Sequence, residues 1–208
     1  DSGITTERFV SGSSQENIVR TTQDDGRENK QIKLFGLTAA KGRSNKYTSD
    51  ASWTHNGKKY MVELKSCDAV KGHVSTSREF GIDKIEAWKT NDGFVFSRFE
   101  KTERGIKFTK HVHCTHEQLR PFFDKQIEKQ NKGTARRGAG LDVWPRIRGI
   151  LEECFAPDEV AKIEKTYRRG TKLNDPKISW SKLEEWGTVL DAQDPRKHLR
   201  ELLTQENK

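Results

Sequence analysis

The chain has 208 residues, enough for one domain with a sizeable core, or for a core domain with a small appendage. Hydrophobic residues are only 31% and charged residues 34%, but ten Phe and five Trp supply large side chains to bury. The formal charge of +8 favours a polyanionic partner, and the absence of any bilayer-length apolar run or signal-peptide pattern argues against a membrane partner.

Three cysteines, Cys67, Cys114 and Cys154, are odd in number and widely spaced. That pattern argues against a disulfide framework and for a reducing, cytoplasmic setting. Residues 1–12 read as a loose polar arm. Ser13 or Ser14 is suited to cap a helix with Glu16 in its first turn, ended by Asp24-Asp25-Gly26. Gln31–Leu37 alternates as a short strand would, although Gly36 interrupts it. The basic segment that follows carries Lys41, Arg43, Asn45 and Lys46, side chains able to reach phosphates or base edges.

Lys46–Ser66 is the most informative stretch. Asn56-Gly57 is a strong hairpin signal, because both central residues of a type I′ turn need positive φ. A two-residue loop sets Trp53 opposite Tyr60 and Asp50 opposite Glu63. Opposed residues share a face, and the strand period of two adds Lys65 to it. The other face reads Ala51, Trp53, Tyr60, Val62 and Leu64, so the register that gathers the carboxylates also buries apolar side chains.

After the hairpin, Cys67–Thr76 reads as a connection and Ser77–Lys89 as a crossover helix with Ile82, Ile85 and Trp88 on one stripe. Phe94–Phe99 is apolar on both faces, as in a strand covered on two sides. Ile106–Val112 alternates and predicts an edge strand with a wet face. His111, His113, Cys114 and His116 make the one ligand-rich cluster, but their spacing matches no closed zinc set, which favours phosphate contact or solvent exposure. A helix is expected from Thr115 or His116 to about Gln130. Residues 131–140, with three glycines and Arg136-Arg137, read as a linker or mobile loop. Every later segment looks helical, and Ser181 and Glu184 have capping-box spacing. The expected organisation is a core over 1–130, the linker over 131–140, and a helical C-terminal subdomain over 141–208.

Two carboxylates and an amine on one strand face suit phosphodiester hydrolysis. A hard divalent cation held by Asp50 and Glu63 would neutralise charge on the phosphorus oxygens and acidify water. Lys65 is placed to orient or deprotonate that water, or to screen the oxyanion. The plain alternative for the triplet is a surface cross-strand ion pair, which is common and contributes little.

Asp50, then Glu63-Leu64-Lys65 at the end of an apolar strand, followed by a helix and a buried strand, resembles the PD-(D/E)xK nuclease superfamily, and most of all its small type II restriction endonucleases. The resemblance covers roughly residues 13–113, and Ser49 stands where the family has its Pro. It implies an α/β fold with a central mixed sheet flanked by helices, Mg²⁺-dependent cleavage of double-stranded DNA, and often a homodimer. It also implies an acidic metal neighbour on an early helix, for which Glu16 is the candidate and Asp24, Asp25 and Glu28 are rivals. A sequence-specific endonuclease is therefore expected, with Arg43, Asn45, Lys46, His73, Ser75, Thr76 and Arg78 as candidate readers of DNA and Arg136 and Arg137 as further contacts. A structure-selective or repair nuclease on the same fold, or a non-catalytic nucleic-acid-binding protein, are the alternatives.

Overall fold

The computed structural model describes residues 26–40, 49–77, 80–132, 140–170 and 175–205, with backbone alone at 169 and 170. Its centre is a mixed six-stranded sheet in the order β1-β2-β3-β5-β6-β8, and a second, two-stranded sheet pairs β4 with β7. The α/β class expected from the sequence is what the chain adopts.

The first described element is helix α1, covering 26–35. The sequence pattern suggested a strand from Gln31, and this is corrected: the run is rich in Arg, Glu, Lys, Gln and Leu, all good helix formers. Gly36 is its stop signal. With φ of +62°, it lets Leu37 N–H donate to Ile32 O at 2.9 Å and its own N–H donate to Lys33 O at 3.3 Å, the paired bonds of a Schellman motif. The short strand β1, Thr38–Ala39, then pairs with β2, Ala51–His55.

The hairpin of β2 and β3, Lys58–Asp68, has the expected register, with Ala51 opposite Val62 and Trp53 opposite Tyr60. Asn56 and Gly57 both have positive φ, 49° and 77°, as the type I′ turn requires. β4, His73–Ser75, branches away, and α2, Ile82–Trp88, carries the chain over to β5, Gly93–Thr102, which runs parallel to β3. Two backbone-level bonds fix this crossover to the hairpin: Met61 N–H donates to Asp92 Oδ2 at 2.7 Å, and Asp92 N–H to Met61 O at 2.9 Å.

β6, Gly105–Cys114, is not the sheet edge that its alternation suggested. Val112 and His113 pair with β8, Thr188–Val189, so the second half of β6 is interior and only its first half is wet. Helix α3, Arg120–Asn131, follows a reciprocal cap in which Thr115 N–H donates to Gln118 Oε1 and Gln118 N–H to Thr115 Oγ1.

From Leu141 on, a 3-10 turn at Leu141–Val143, α4 (Trp144–Glu152) and α5 (Pro157–Gly170) follow, the two helices joined by Trp144 against Tyr167, while residues 133–139 of the expected linker lie outside the described residues. The remainder is not wholly helical: β7 (Lys177–Ser179), α6 (Trp180–Trp186), β8 and α7 (Pro195–Thr204) return to the sheet. Ser179, rather than Ser181, caps α6, and Glu184 instead accepts from Trp180 Nε1 at 2.7 Å.

Two apolar clusters sandwich the sheet. On one face Phe94, Phe96, Val112 and Cys114 meet Ile85 and Trp88 of α2, Phe122 and Phe123 of α3, and Leu183 of α6. On the other, Val62, Leu64 and Val95 meet Phe35 of α1 and Leu199 and Leu203 of α7. Residues from the C-terminal third therefore complete both faces of the same core instead of building their own. Among the described residues no helix is long and apolar enough to cross a membrane.

Candidate active site

The hairpin register leaves Asp50 one step beyond the last paired residue of β2, across from Glu63. Asp50 Oδ2 accepts the Leu64 N–H at 2.9 Å, and its carboxyl is also hydrogen-bonded to that of Glu63. Lys65 follows on the same face of β3, with Nζ 3.9 Å from Glu63 Oε1. The three residues singled out in the sequence are thus gathered at one place.

Their surroundings differ from a solvated strand face. Helix α2 covers this side of the sheet, and Glu63 is only 6% exposed. Burial, and next the negative charge of Asp50, raise the Glu63 carboxyl from its ordinary value to about 8, against the partial relief offered by Lys65 and Lys84. Burial and the neighbouring charge thus favour the protonated form of Glu63, whose carboxyl is hydrogen-bonded to that of Asp50. Lys65 is held from the other side: its Nζ donates to Thr76 O at 3.3 Å and lies 5.7 Å from the centre of the Trp88 ring.

Ser49, at the position before Asp50, is buried and donates through Oγ to Asn91 Oδ1. Asn91 in turn donates to Trp88 O at 3.1 Å. The residue thus ties the start of β2 to the end of α2, a fixing role that needs a hydroxyl and that proline would not supply.

A cleft of about 560 Å³ opens beside the triplet. Arg27, Lys65, Lys71 and Lys101 contribute cationic groups to its wall, and Glu28, Asp50 and Asp68 contribute carboxylates. Arg27 is set in place by its Nε donating to Ser66 Oγ at 3.1 Å and by its guanidinium over the Phe99 ring. The sequence analysis did not single out Arg27, Lys71 or Lys101. Each is an ordinary basic residue in a basic chain, and only the fold places them around one opening.

The outer candidates separate into three groups. His73 and Ser75 line the cleft. Thr76 does too, but it is buried, and its hydroxyl donates to Pro176 O at 2.6 Å; this corrects its assignment as a reader of DNA. Its hydroxyl is occupied and its carbonyl holds Lys65, so it positions the amine. Arg43, Asn45, Lys46, Arg78, Arg136, Arg137 and Glu16 lie outside the described residues, as do Asp24 and Asp25. Glu28 is the one early acidic candidate among the described residues, and it faces the cleft.

The histidine cluster is split by the fold. His113 is buried beside Gly93 and Leu203, His111 packs on Phe35, Cys114 points into the opposite core, and His116 is near Glu117. Desolvation lowers His111 and His113 to about 4, so both are neutral core residues rather than phosphate contacts or solvent-facing groups.

No group of three or more His, Cys, Asp or Glu side chains is arranged to hold a metal among the described residues. The Asp50–Glu63 pair nonetheless suits a hard divalent ion, since Mg²⁺ typically takes one or two carboxylates and keeps several waters. A protonated carboxylic acid against a carboxylate is a pair in which a cation can replace the shared proton. No protein-family model matches this chain, and no curated protein is significantly similar to it.

Proposed function

We propose that the protein is a metal-dependent, sequence-specific endonuclease of double-stranded DNA, related in design to the PD-(D/E)xK restriction enzymes. The observation that carries this reading is the triplet itself: Asp50 and the buried Glu63 joined by a hydrogen bond, with Lys65 Nζ 3.9 Å away at the edge of a cleft whose wall carries four basic side chains among its carboxylates. An ion pair that served only stability would not keep one carboxylate buried and uncharged beside another, because that arrangement costs free energy that a neutral or apolar pair avoids.

Asp50 and Glu63 would hold Mg²⁺, which when bound supplies Lewis acidity against the phosphate oxygens and acidifies water. Lys65 Nζ, anchored on Thr76 O, projects a positive charge or a proton-transfer group toward the same place. Arg27, Lys71 and Lys101 supply countercharge for the phosphates on either side of the scissile bond. Leu64, between the two acting residues, points to the other face and packs with Val62 and Val95. A one-residue shift would exchange these roles.

The test is cleavage of supercoiled plasmid in Mg²⁺ and in EDTA, with wild type and Lys65→Ala. Wild-type cleavage confined to Mg²⁺ and lost in Lys65→Ala is the expected result. Cleavage that persists unchanged in Lys65→Ala would remove the site assignment, and discrete fragments from a long DNA separate a sequence-specific enzyme from one that cuts only at junctions or lesions.

A further inference from the structure

The two-stranded sheet of β4 and β7 has no role in the proposed chemistry, yet its strand β4 lines the cleft through His73 and Ser75. Its residues pair His73 with Ser179, Val74 with Ile178 and Ser75 with Lys177, and Trp180 N–H donating to Gly72 O at 3.0 Å extends the ladder. The alternation is complete. Val74 and Ile178 are buried in the core cluster, while Ser75, Lys177 and Ser179 face outward and His73 is half-buried against the cleft. Ser179 is occupied as the cap of α6, which leaves His73, Ser75 and Lys177 as the outward polar groups of the ribbon.

We infer that this ribbon is the surface that reads base edges in the major groove, and that it reports its docking to the amine of the active site. This inference rests on the nuclease reading given above. Three observations carry it. The first is size: three paired residues at about 3.3 Å each, on strands about 4.8 Å apart, make a plate that enters a groove about 12 Å wide, and a two-stranded ribbon is one of the two shapes that groove admits. The second is chemistry. Lys177 Nζ lies 3.2 Å from Ser75 Oγ and is ion-paired with Asp175 Oδ2 at 3.4 Å, so an ammonium sits beside a hydroxyl, a pair able to address a guanine edge. The adjoining cleft wall carries Lys71 and Lys101, which complement phosphates next to that groove. The third is connection. Thr76, the residue after β4, donates to Pro176 O just before β7 and accepts from Lys65 Nζ through its carbonyl. Displacing either strand moves Thr76, and moving Thr76 moves the group that holds Lys65.

Base reading and phosphate contact give different signatures, since a lost phosphate contact weakens all duplexes alike whereas a lost base contact is felt mainly at the preferred site. Selection from a random duplex pool, on the Lys65→Ala background so that DNA stays intact, defines the preferred sequence. Adding Ser75→Ala and Lys177→Ala should then weaken binding of the selected duplex about 10- to 100-fold, with less than about threefold loss on a scrambled duplex. Lys71→Ala, as a phosphate contact, should weaken both duplexes equally. Equal loss on both duplexes in the ribbon variant, or no loss, would overturn the inference while leaving plasmid cleavage, and hence the nuclease reading, intact. Selection of no sequence by the Lys65→Ala protein would overturn it as well, and absence of both DNA binding and wild-type cleavage would remove the nuclease reading too. Both substituted residues are solvent-facing, and unchanged circular dichroism melting checks that the fold is preserved.

Discussion

Two buried polar clusters flank β3, and they are built on opposite principles. On the face covered by α1, Gln31 Nε2 donates to Lys65 O at 3.0 Å and to Ser97 Oγ at 2.8 Å, and Ser97 Oγ is hydrogen-bonded to Nδ1 of His111 at 2.7 Å. Every linked group is uncharged, and each bond in the chain runs from a donor to an acceptor. On the face covered by α2, three ionisable groups meet, Asp50, Glu63 and Lys65, and burial together with the Asp50 charge raises the Glu63 carboxyl well above its ordinary value. A cluster that only maintains a fold is expected to resemble the first. The second places two carboxyl groups together in a buried setting, and a cation held between them, as proposed above, would relieve that arrangement.

The sharpest way to break this comparison is at the amine and the acid. Lys65→Ala and Glu63→Gln should each lower cleavage at least about 10²-fold in a plasmid assay, which corresponds to removing a single electrostatic or proton-transfer group. Glu63→Gln should leave thermal stability unchanged or raise it, because an amide of the same shape needs no charge compensation. A drop in melting temperature together with lost cleavage would instead make Glu63 a structural residue. Inserting one residue between Asn56 and Gly57 should likewise abolish cleavage while the melting transition survives, since the insertion breaks the register that sets Asp50 across from Glu63.

Next in size is the pH dependence of stability in the absence of metal. Glu63 is raised on folding, so its contribution is full below the unfolded value of about 4.5 and is lost as pH rises through about 8. His111 and His113 are lowered on folding, so their contribution is full above about 6.5 and is lost as pH falls through about 4. Denaturant titrations should thus show stability falling on the alkaline side in wild type, and Glu63→Gln should remove that fall while retaining the acid limb. A wild-type curve that is flat between pH 6.5 and 8.5 would contradict the protonated state assigned to Glu63.

In the neutral cluster Ser97→Ala should cost about 1–3 kcal/mol, the penalty for leaving His111 Nδ1 without its partner, with a loss that does not vary between pH 7 and 9. The smallest effect belongs to Arg196. Its Nε and Nη2 donate to Leu34 O and Lys33 O, the last carbonyls of α1, from an exposed position on α7. Arg196→Ala should therefore lower stability by about 1 kcal/mol and leave cleavage within about threefold of wild type.

How much of this was legible in the sequence depended on how local the determinants are. The hairpin was readable because Asn56-Gly57 fixes its own turn and Val62 and Leu64 fix its face. Phe94 and Phe96 announced a doubly covered strand by being apolar on every residue. Helix α1 reads as a strand in the sequence because Ile32 and Leu34 mimic a period of two over a short run, and the C-cap role of Gly36 becomes evident only with its Schellman bonds. β7 and β8 were invisible for a different reason: they are three and two residues long and exist only because β4 and β6 offer them partners. The burial of Glu63 was missed likewise, since the lid over it, α2 with Trp88, comes from a crossover whose position is a tertiary fact.

The central claim is that Asp50 and Glu63 share a proton which a divalent cation displaces. Titrating the metal-free protein with Mg²⁺ in weakly buffered solution near pH 7, while following released protons, measures this directly. About one proton per bound ion is expected in wild type, falling toward zero above about pH 9, and neither tight binding nor release is expected in Glu63→Gln. Binding without proton release, or binding that Glu63→Gln leaves unchanged, would contradict the account.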